Sequence, residues 1–494
     1  MEKVAILELN ESILKLTIYK VNGFKSEICF SKSQNFAIGK EIEKEELLSP
    51  KTKGDILNML KIYRKMIENY GATSIISVTT NIITKARNYR GFLDEIYNNT
   101  GLSFSIVSEE EYVKYIFNAI VNSIDNAKGV FVYVGEYSSY IVKYNRRAIL
   151  GSAIIPYGSY NAQEMGKTMD EQVKVLTKKV SSLPLLSEID EDLKVVGAGR
   201  TFIAAGRIAK KILRYPVDID NNYIISKKDL DKTCDFVKDL DLEKIRKIKG
   251  IDFEDADKIV NGMAIIKAVT NVLKLNEITI SSANLRQGLL QVNVLSQEQE
   301  KFSDLLSNSL ETYYEFNKNE FSMNVNVYDM ALLLFKQLKV MHKLPRFYLK
   351  PLRIASFMYD CGSYIDKENY SKHSFEKILY SNIQGATHRE LLIAGFIAVC
   401  QNLDDFSLNE WIKYKDILTD EDLDAVRKLG IIVKLAVALN ASRKPIITDI
   451  MCDILGDSII MKTVTESDAT FEILEGMKVA QDYKKVYKKS LQII

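Results

Sequence analysis

The sequence predicts two α/β lobes built on one repeated plan, followed by a mainly helical region. Three observations carry this. A strand–loop–strand segment that opens the chain recurs near residue 129, each copy leads into alternating strands and helices, and strand signals stop near Gln297 until Ile446. At 494 residues the chain exceeds what one hydrophobic core organises, so two or more domains are expected. Hydrophobic residues at 47% and charged residues at 27% exclude disordered, collagen-like and coiled-coil classes. The 67 Lys plus Arg against 65 Asp plus Glu leave a net charge of +2, too balanced for a general electrostatic nucleic-acid binder. Cys29, Cys234, Cys361, Cys400 and Cys452 lie far apart with no CxxC pair. They predict buried thiols of a reducing compartment, with neither a disulfide framework nor a zinc site. No apolar leader follows Met1 and no run of eighteen apolar residues occurs, so a cytoplasmic protein without a membrane segment is expected.

The elements follow in order. Val4-Ala5-Ile6-Leu7 is an apolar strand, the loop from Glu8 to Ser12 is polar, and a strand over 14–19 runs to a hairpin turn at Asn22-Gly23. A helix over 57–68, a strand over 73–78 and a helix over 89–98 complete the first lobe. The second copy begins with the strand Gly129-Val130-Phe131-Val132-Tyr133-Val134, the loop from Gly135 to Ser139, a strand over 140–144 and a turn near Asn145-Arg146. It continues as a strand over 193–198, helices over 202–211 and 256–275, and a strand over 277–281. Amphipathic helices dominate residues 302–441, and 446–455 with 458–464 read as a small sheet before a closing helix over 475–491. The predicted domains are therefore 1–124, 125–298 and 299–494. Two such α/β halves are the outline of an actin-like (ribonuclease-H-like) fold, in which a phosphorylated ligand lies between the two loops.

Specific motifs then carry a family resemblance. The run Ala256-Asp257-Lys258-Ile259-Val260-Asn261-Gly262-Met263-Ala264-Ile265, the strand at 277–281 and the turn Leu285-Arg286-Gln287-Gly288-Leu289 resemble the Ppx/GppA family of exopolyphosphatases and guanosine pentaphosphate phosphohydrolases. That family has Ala-Asp-x-Ile-x-x-Gly-x-Ala-Ile, a strand and Leu-Arg-Glu-Gly-Leu at those places. Tyr359-Asp360-Cys361-Gly362 is similar to the His-Asp-Ile-Gly of its HD-like helical region, and Asn369-Tyr370-Ser371-Lys372-His373-Ser374 to its Asn-His-His-Lys-His-Ser. The resemblance implies attack of water on a terminal phosphoryl group, with polyphosphate or guanosine phosphates as ligands. It also implies backbone loops that cradle phosphate, an arginine, a water-activating carboxylate, a divalent ion such as Mg²⁺, and pairing into a homodimer.

Residue by residue, the resemblance places Glu111 at the general base, with Tyr112 replacing its acidic neighbour. The residues themselves equally read as a helix start, with Ser108 as N-cap and Glu109 to Glu111 as first-turn acids. In the first loop Glu8 keeps a metal-ligand position, Asn10 replaces a glycine, Glu11 replaces a serine, and Ser12 remains for phosphate. A carboxylate about 4 Å from a phosphate oxygen costs several kcal/mol at an effective dielectric near 20. In the second loop Gly135, Ser138 and Ser139 remain as phosphate binders. Glu136 and Tyr137 replace glycines, with Glu136 a candidate metal ligand, while Tyr133 replaces the aspartate and Tyr140 the closing glutamate. The arginine expected after Thr80 is Thr84, and Arg200 is the candidate substitute. His373 beside Lys372 is the candidate phosphate contact of the helical region, where a helix-start polar pair is the simpler reading. With only His342, His373 and His388 in the chain, an HD-type metal site is not expected there. Basic stretches at 244–249, 342–353 and 484–489 read as solvated helix faces.

These replacements predict a relative with weakened or lost hydrolase activity that binds a phosphorylated ligand or a partner. The alternative is an active phosphoanhydride hydrolase working through Glu111, with a cation among Glu8, Glu11 and Glu136. An actin-like ATPase or sugar-kinase relative fits worst, because it needs open glycine loops and an adenine pocket.

Overall fold

Two sheets of matching strand order organise the first 308 residues. In the computed structural model, residues 1–145, 147–188, 193–248, 250–251, 255–294, 304–317 and 321–494 are described. The predicted boundary near 298, the turn residue Arg146 and Lys249 of the basic stretch lie outside them. The first sheet consists of β1 (Glu2–Leu9), β2 (Ile13–Asn22), β3 (Lys25–Asn35), β4 (Ser74–Thr80) and β5 (Phe104–Val107), in the order β3-β2-β1-β4-β5. The second has β6 (Lys128–Val134), β7 (Ser139–Asn145), β8 (Ala148–Ile155), β9 (Lys194–Ala198), β10 (Tyr223–Ser226) and β11 (Glu277–Ser281), in the order β10-β11-β9-β6-β7-β8. Without the edge strand β10, the second order repeats the first, with β6 in the place of β1. In both, two antiparallel hairpins are followed by parallel pairing. This is the duplicated actin-like plan that the sequence predicts.

The apolar run Val4 to Leu7 is wholly buried because both faces of β1 are covered. By strand alternation, Ala5, Leu7 and Leu9 join one core with Ile56, Leu60 and Phe92. Val4 and Ile6 join another that holds Ile116, Phe117, Phe131 and Leu289, so this second core ties the two lobes together. The helices Glu109–Val121 and Leu285–Asn293 meet in it. A Cβ on Gly288 would lie 2.0 Å from the Tyr115 carbonyl oxygen, so only glycine permits that crossing. The helix predicted over 57–68 is longer, Pro50–Tyr70, because Ser49 caps it, Pro50 starts it and Gly71 ends it at φ 66°.

The chain divides into two compact units, 1–308 and 309–494. The second is mainly helical, with helices Leu349–Met358, Tyr370–Tyr380, His388–Val399 and Asp420–Ala438 at its centre. Its small sheet holds β12 (Ile447–Leu455), β13 (Ser458–Thr465) and β14 (Ser490–Ile493). The single closing helix expected over 475–491 is not formed. Helices Thr470–Lys478 and Ala480–Tyr487 occur instead, Lys488 turns to φ 59°, and β14 pairs parallel with β13. Among the described residues no helix is long and apolar enough to cross a membrane.

Candidate active site

The two loops face each other across a cleft of about 740 Å³ inside the first unit. The first loop has closed on itself. Asn10 Oδ1 accepts from the amides of Ser12 (3.1 Å) and Ile13 (2.9 Å), and the Asn10 amide donates to the Ile13 carbonyl at 3.0 Å. This is an Asx turn: a side-chain oxygen fills amides that a glycine loop would leave open to phosphate. Asn10 Nδ2 donates to Glu8 at 2.9 Å, and Glu8, 4% exposed, also takes the Arg286 guanidinium.

The second loop is supported from outside. Gly135 donates to the Ser138 carbonyl (3.0 Å), and the carbonyls of Gly135 and Glu136 accept from Ser159 (2.9 Å) and Tyr160 (2.8 Å). Gly158 allows that approach, since a Cβ there would lie 2.3 Å from the Glu136 carbonyl carbon. Ser138 stays in the cleft, with its hydroxyl 2.9 Å from that of Tyr140. Ser139 does not reach the cleft; it is buried and donates to the Tyr157 carbonyl at 2.8 Å. The Tyr137 ring crosses to the first lobe and lies on Gly39, where a Cβ would be 2.7 Å from it.

Lys258 joins the loops. Its Nζ donates to Ser12 Oγ and to Glu136 Oε2, each at 2.9 Å, while Ser12 donates to the same Glu136 oxygen at 2.5 Å. Lys258 is 7% exposed. Arg200 pairs with Asp255 at 2.6 Å and stands 3.9 Å from Glu136. Five carboxylates (Glu8, Glu11, Glu109, Glu136, Asp255) and five cations (Lys15, Lys85, Arg200, Lys258, Arg286) line the cleft. The Glu136 charge is balanced by Lys258. Glu11 differs: burial first, then the Glu136 charge, raise its carboxyl to about 7.

Glu111 is not among the residues that line this cleft, although its cap partner Ser108 is. It is exposed, and its carboxylate accepts from the Ser108 amide (2.9 Å) and hydroxyl (2.8 Å) in a capping box. Those bonds hold its pKa below the usual carboxylate value. One residue further along the helix, Tyr112 turns inward and meets Tyr133 hydroxyl to hydroxyl at 2.7 Å. Burial pushes both phenols well up, so both stay protonated. Thr84 bonds back to the Asn81 carbonyl at 2.8 Å and Arg87 pairs with Glu46, leaving Lys85 to line the cleft on that side. His373 belongs to the helix Tyr370–Tyr380 of the second unit.

The metal positions read from the sequence do not fit a divalent ion as arranged. Glu8 is engaged by Arg286 and Asn10, and Glu136 by Lys258 and Ser12. A doubly charged ion about 4 Å from an ammonium adds roughly 8 kcal/mol of repulsion at an effective dielectric near 20. Among the described residues no three His, Cys, Asp or Glu side chains group as metal ligands. Sequence reasoning passes over Lys258, which sits at the variable position of the Ala-Asp-x-Ile motif and has its partners 246 and 122 residues away.

Comparison with known proteins gives two family matches in order. The Ppx/GppA phosphatase family matches residues 17–297, and Ppx/GppA phosphatase, domain III, matches residues 308–472. The chain is 21% identical over 359 residues to a guanosine-5'-triphosphate,3'-diphosphate pyrophosphatase of Aeromonas salmonicida, covering 71% of this chain and 70% of that one. It is 20% identical over 308 residues to a bifunctional 3-dehydroquinate synthase/phosphatase of Fusobacterium nucleatum, covering 58% and 46%. Among solved structures, the Aquifex aeolicus Ppx/GppA family member is similar with a TM-score of 0.53 and 21% identity, over 60% of this chain and 99% of that one. An exopolyphosphatase from Cytophaga hutchinsonii gives 0.54 and 15%, over 59% and 97%. At these identities the structural likeness concerns the fold.

Proposed function

Because the chain belongs to the Ppx/GppA phosphatase family, we propose that its cleft holds a phosphorylated ligand, a polyphosphate chain or a guanosine polyphosphate, with hydrolysis weakened or lost. The observation that carries this reading is the first turn of the helix Glu109–Val121. Water attack on a terminal phosphoryl group needs a base within hydrogen-bond reach of that water. Here Glu111 is engaged by its own helix cap and is not among the cleft-lining residues, and the inward residue is the protonated Tyr112. Binding groups remain: Lys258, Arg200 and Lys85 line the cleft beside Gly135 and Ser138.

One observation favours a second reading, an active hydrolase. The Glu11 carboxyl lines the cleft with a pKa near 7, which suits a general base at neutral pH. Turnover by this route would depend on Glu11 and be indifferent to Glu111. The test is phosphate release from long-chain polyphosphate and from guanosine pentaphosphate, alongside equilibrium binding of both. Binding with negligible release supports the first reading, and release abolished by Glu11→Gln supports the second. The reading includes a cytoplasmic homodimer. Five free cysteines support a reducing compartment, and light scattering at twice the chain mass checks the pairing.

A further inference from the structure

We propose that Lys258 is a built-in cation, standing between the two loops where a divalent ion would need to be, and that it gives the cleft metal-independent recognition of a terminal phosphoryl group. The inference rests on the reading of the cleft as a phosphate-chain site and goes beyond it by assigning the counter-charge.

The placement is specific. Lys258 precedes the helix Ile259–Leu273, whose Gly262 lies against Thr201, where a Cβ would be 2.6 Å away. That packing fixes the start of the helix in the second lobe. From there the side chain reaches Glu136 of the second loop and Ser12 of the first, at 2.9 Å each. The carboxylate nearest this ammonium is thus already neutralised, and the other candidate ligand, Glu8, is held by Arg286. An ammonium carries three N–H donors. Two are spent on Ser12 and Glu136; the Asp255 carboxylate stands 4.0 Å away, an ion-pair contact beyond hydrogen-bond reach, so the third N–H is not taken up by it, on a side chain that lines the cleft. A phosphoryl oxygen entering the cleft is a natural acceptor for it. Ser12 donates to Glu136 while accepting from Lys258, so its hydroxyl orientation is set before a ligand arrives. A lysine works here as a compact point charge, the role that a small metal ion would fill.

Two measurements on the full chain separate this claim from the reading beneath it. The first is Mn²⁺ binding by electron paramagnetic resonance, with no phosphate present. The wild type is expected to show no site that depends on Glu136, whereas Lys258→Met gains one that a further Glu136→Gln removes. Mn²⁺ bound by the wild type and lost in Glu136→Gln overturns the proposal without reliance on any Lys258 variant. The second is calorimetric titration with tripolyphosphate in EDTA and in Mg²⁺. Wild-type affinity is expected to agree between the two within about twofold, and Lys258→Met to lose about tenfold in EDTA. A wild-type affinity that rises more than about tenfold with Mg²⁺ overturns the proposal. If tripolyphosphate binds the wild type under neither condition, the phosphate-chain reading fails, and metal-independent recognition fails with it.

Discussion

The loop between β1 and β2 and the loop between β6 and β7 hold equivalent places in two lobes of the same strand order, and they have diverged in opposite ways. The first has closed inward. Asn10 turns its side chain back onto the amides of Ser12 and Ile13, so the turn satisfies itself. The second leans outward, with its carbonyls paired to Ser159 and Tyr160, its approach to Gly158 close, and its Tyr137 ring laid on Gly39 of the other lobe. A duplicated fold hands down the backbone position, and the side chains decide what fills it. Lys258 is where the two solutions meet, since it bonds to Ser12 on one side and Glu136 on the other.

The contrast can be broken most severely at Glu136. Glu136→Ala leaves the buried Lys258 ammonium without its hydrogen-bonded carboxylate. Only the more distant Asp255, 4.0 Å away, remains among the carboxylates paired with it in the described residues, and urea denaturation should show a loss of about 3 kcal/mol. Gly158→Ala attacks the support of the second loop alone. Its Cβ would overlap the Glu136 carbonyl, and a loss of about 2 kcal/mol is expected in the same measurement. Glu11→Gln should act with the opposite sign. The Glu11 carboxyl rises from 4.5 to about 7 on folding, so the folded state holds a proton that the unfolded chain releases between those values. Stability from this group is present below pH 4.5 and lost as pH rises through 7. Glu11→Gln should therefore stabilise the protein at pH 8 by about 2 kcal/mol and have little effect at pH 4, as read from melting curves at the two pH values. Asn10→Ala removes the Asx turn from the first loop only, at a cost of about 1 kcal/mol, and leaves the second loop's hydrogen bonds intact in amide exchange.

The fold was largely legible in the sequence because its determinants are local. Val4 to Leu7 and Gly129 to Val134 read as buried strands, and Asn22-Gly23 as a hairpin. The turn falls one residue later than that: Asn22 ends β2 and pairs with Lys25, and the two turn residues are Gly23, at φ 59°, and Phe24. The motif glycines were legible as a pattern, but their reasons are tertiary: Gly262 meets Thr201 and Gly288 meets Tyr115. Where the sequence misled, a local signal was lacking. Lys488 ends the last helix in a left-handed conformation without being Gly or Asn, which hid β14. The four-residue edge strand β10 was too short to declare itself. At the site, the contest over Glu111 was visible as two readings of one segment, and the capping box with Ser108 describes the fold it took. Lys258 was invisible because its meaning lies in Ser12 and Glu136, both far away in sequence.

The most direct test of the account is single-turnover phosphate release from long-chain polyphosphate by the wild type and by Glu111→Gln, with melting curves recorded for both. The account predicts little or no release from either protein and a stability loss of at most about 1 kcal/mol in the variant, because Glu111 serves its helix start. Release by the wild type on the scale of about 1 per second or faster, abolished in a still-folded Glu111→Gln, would contradict it.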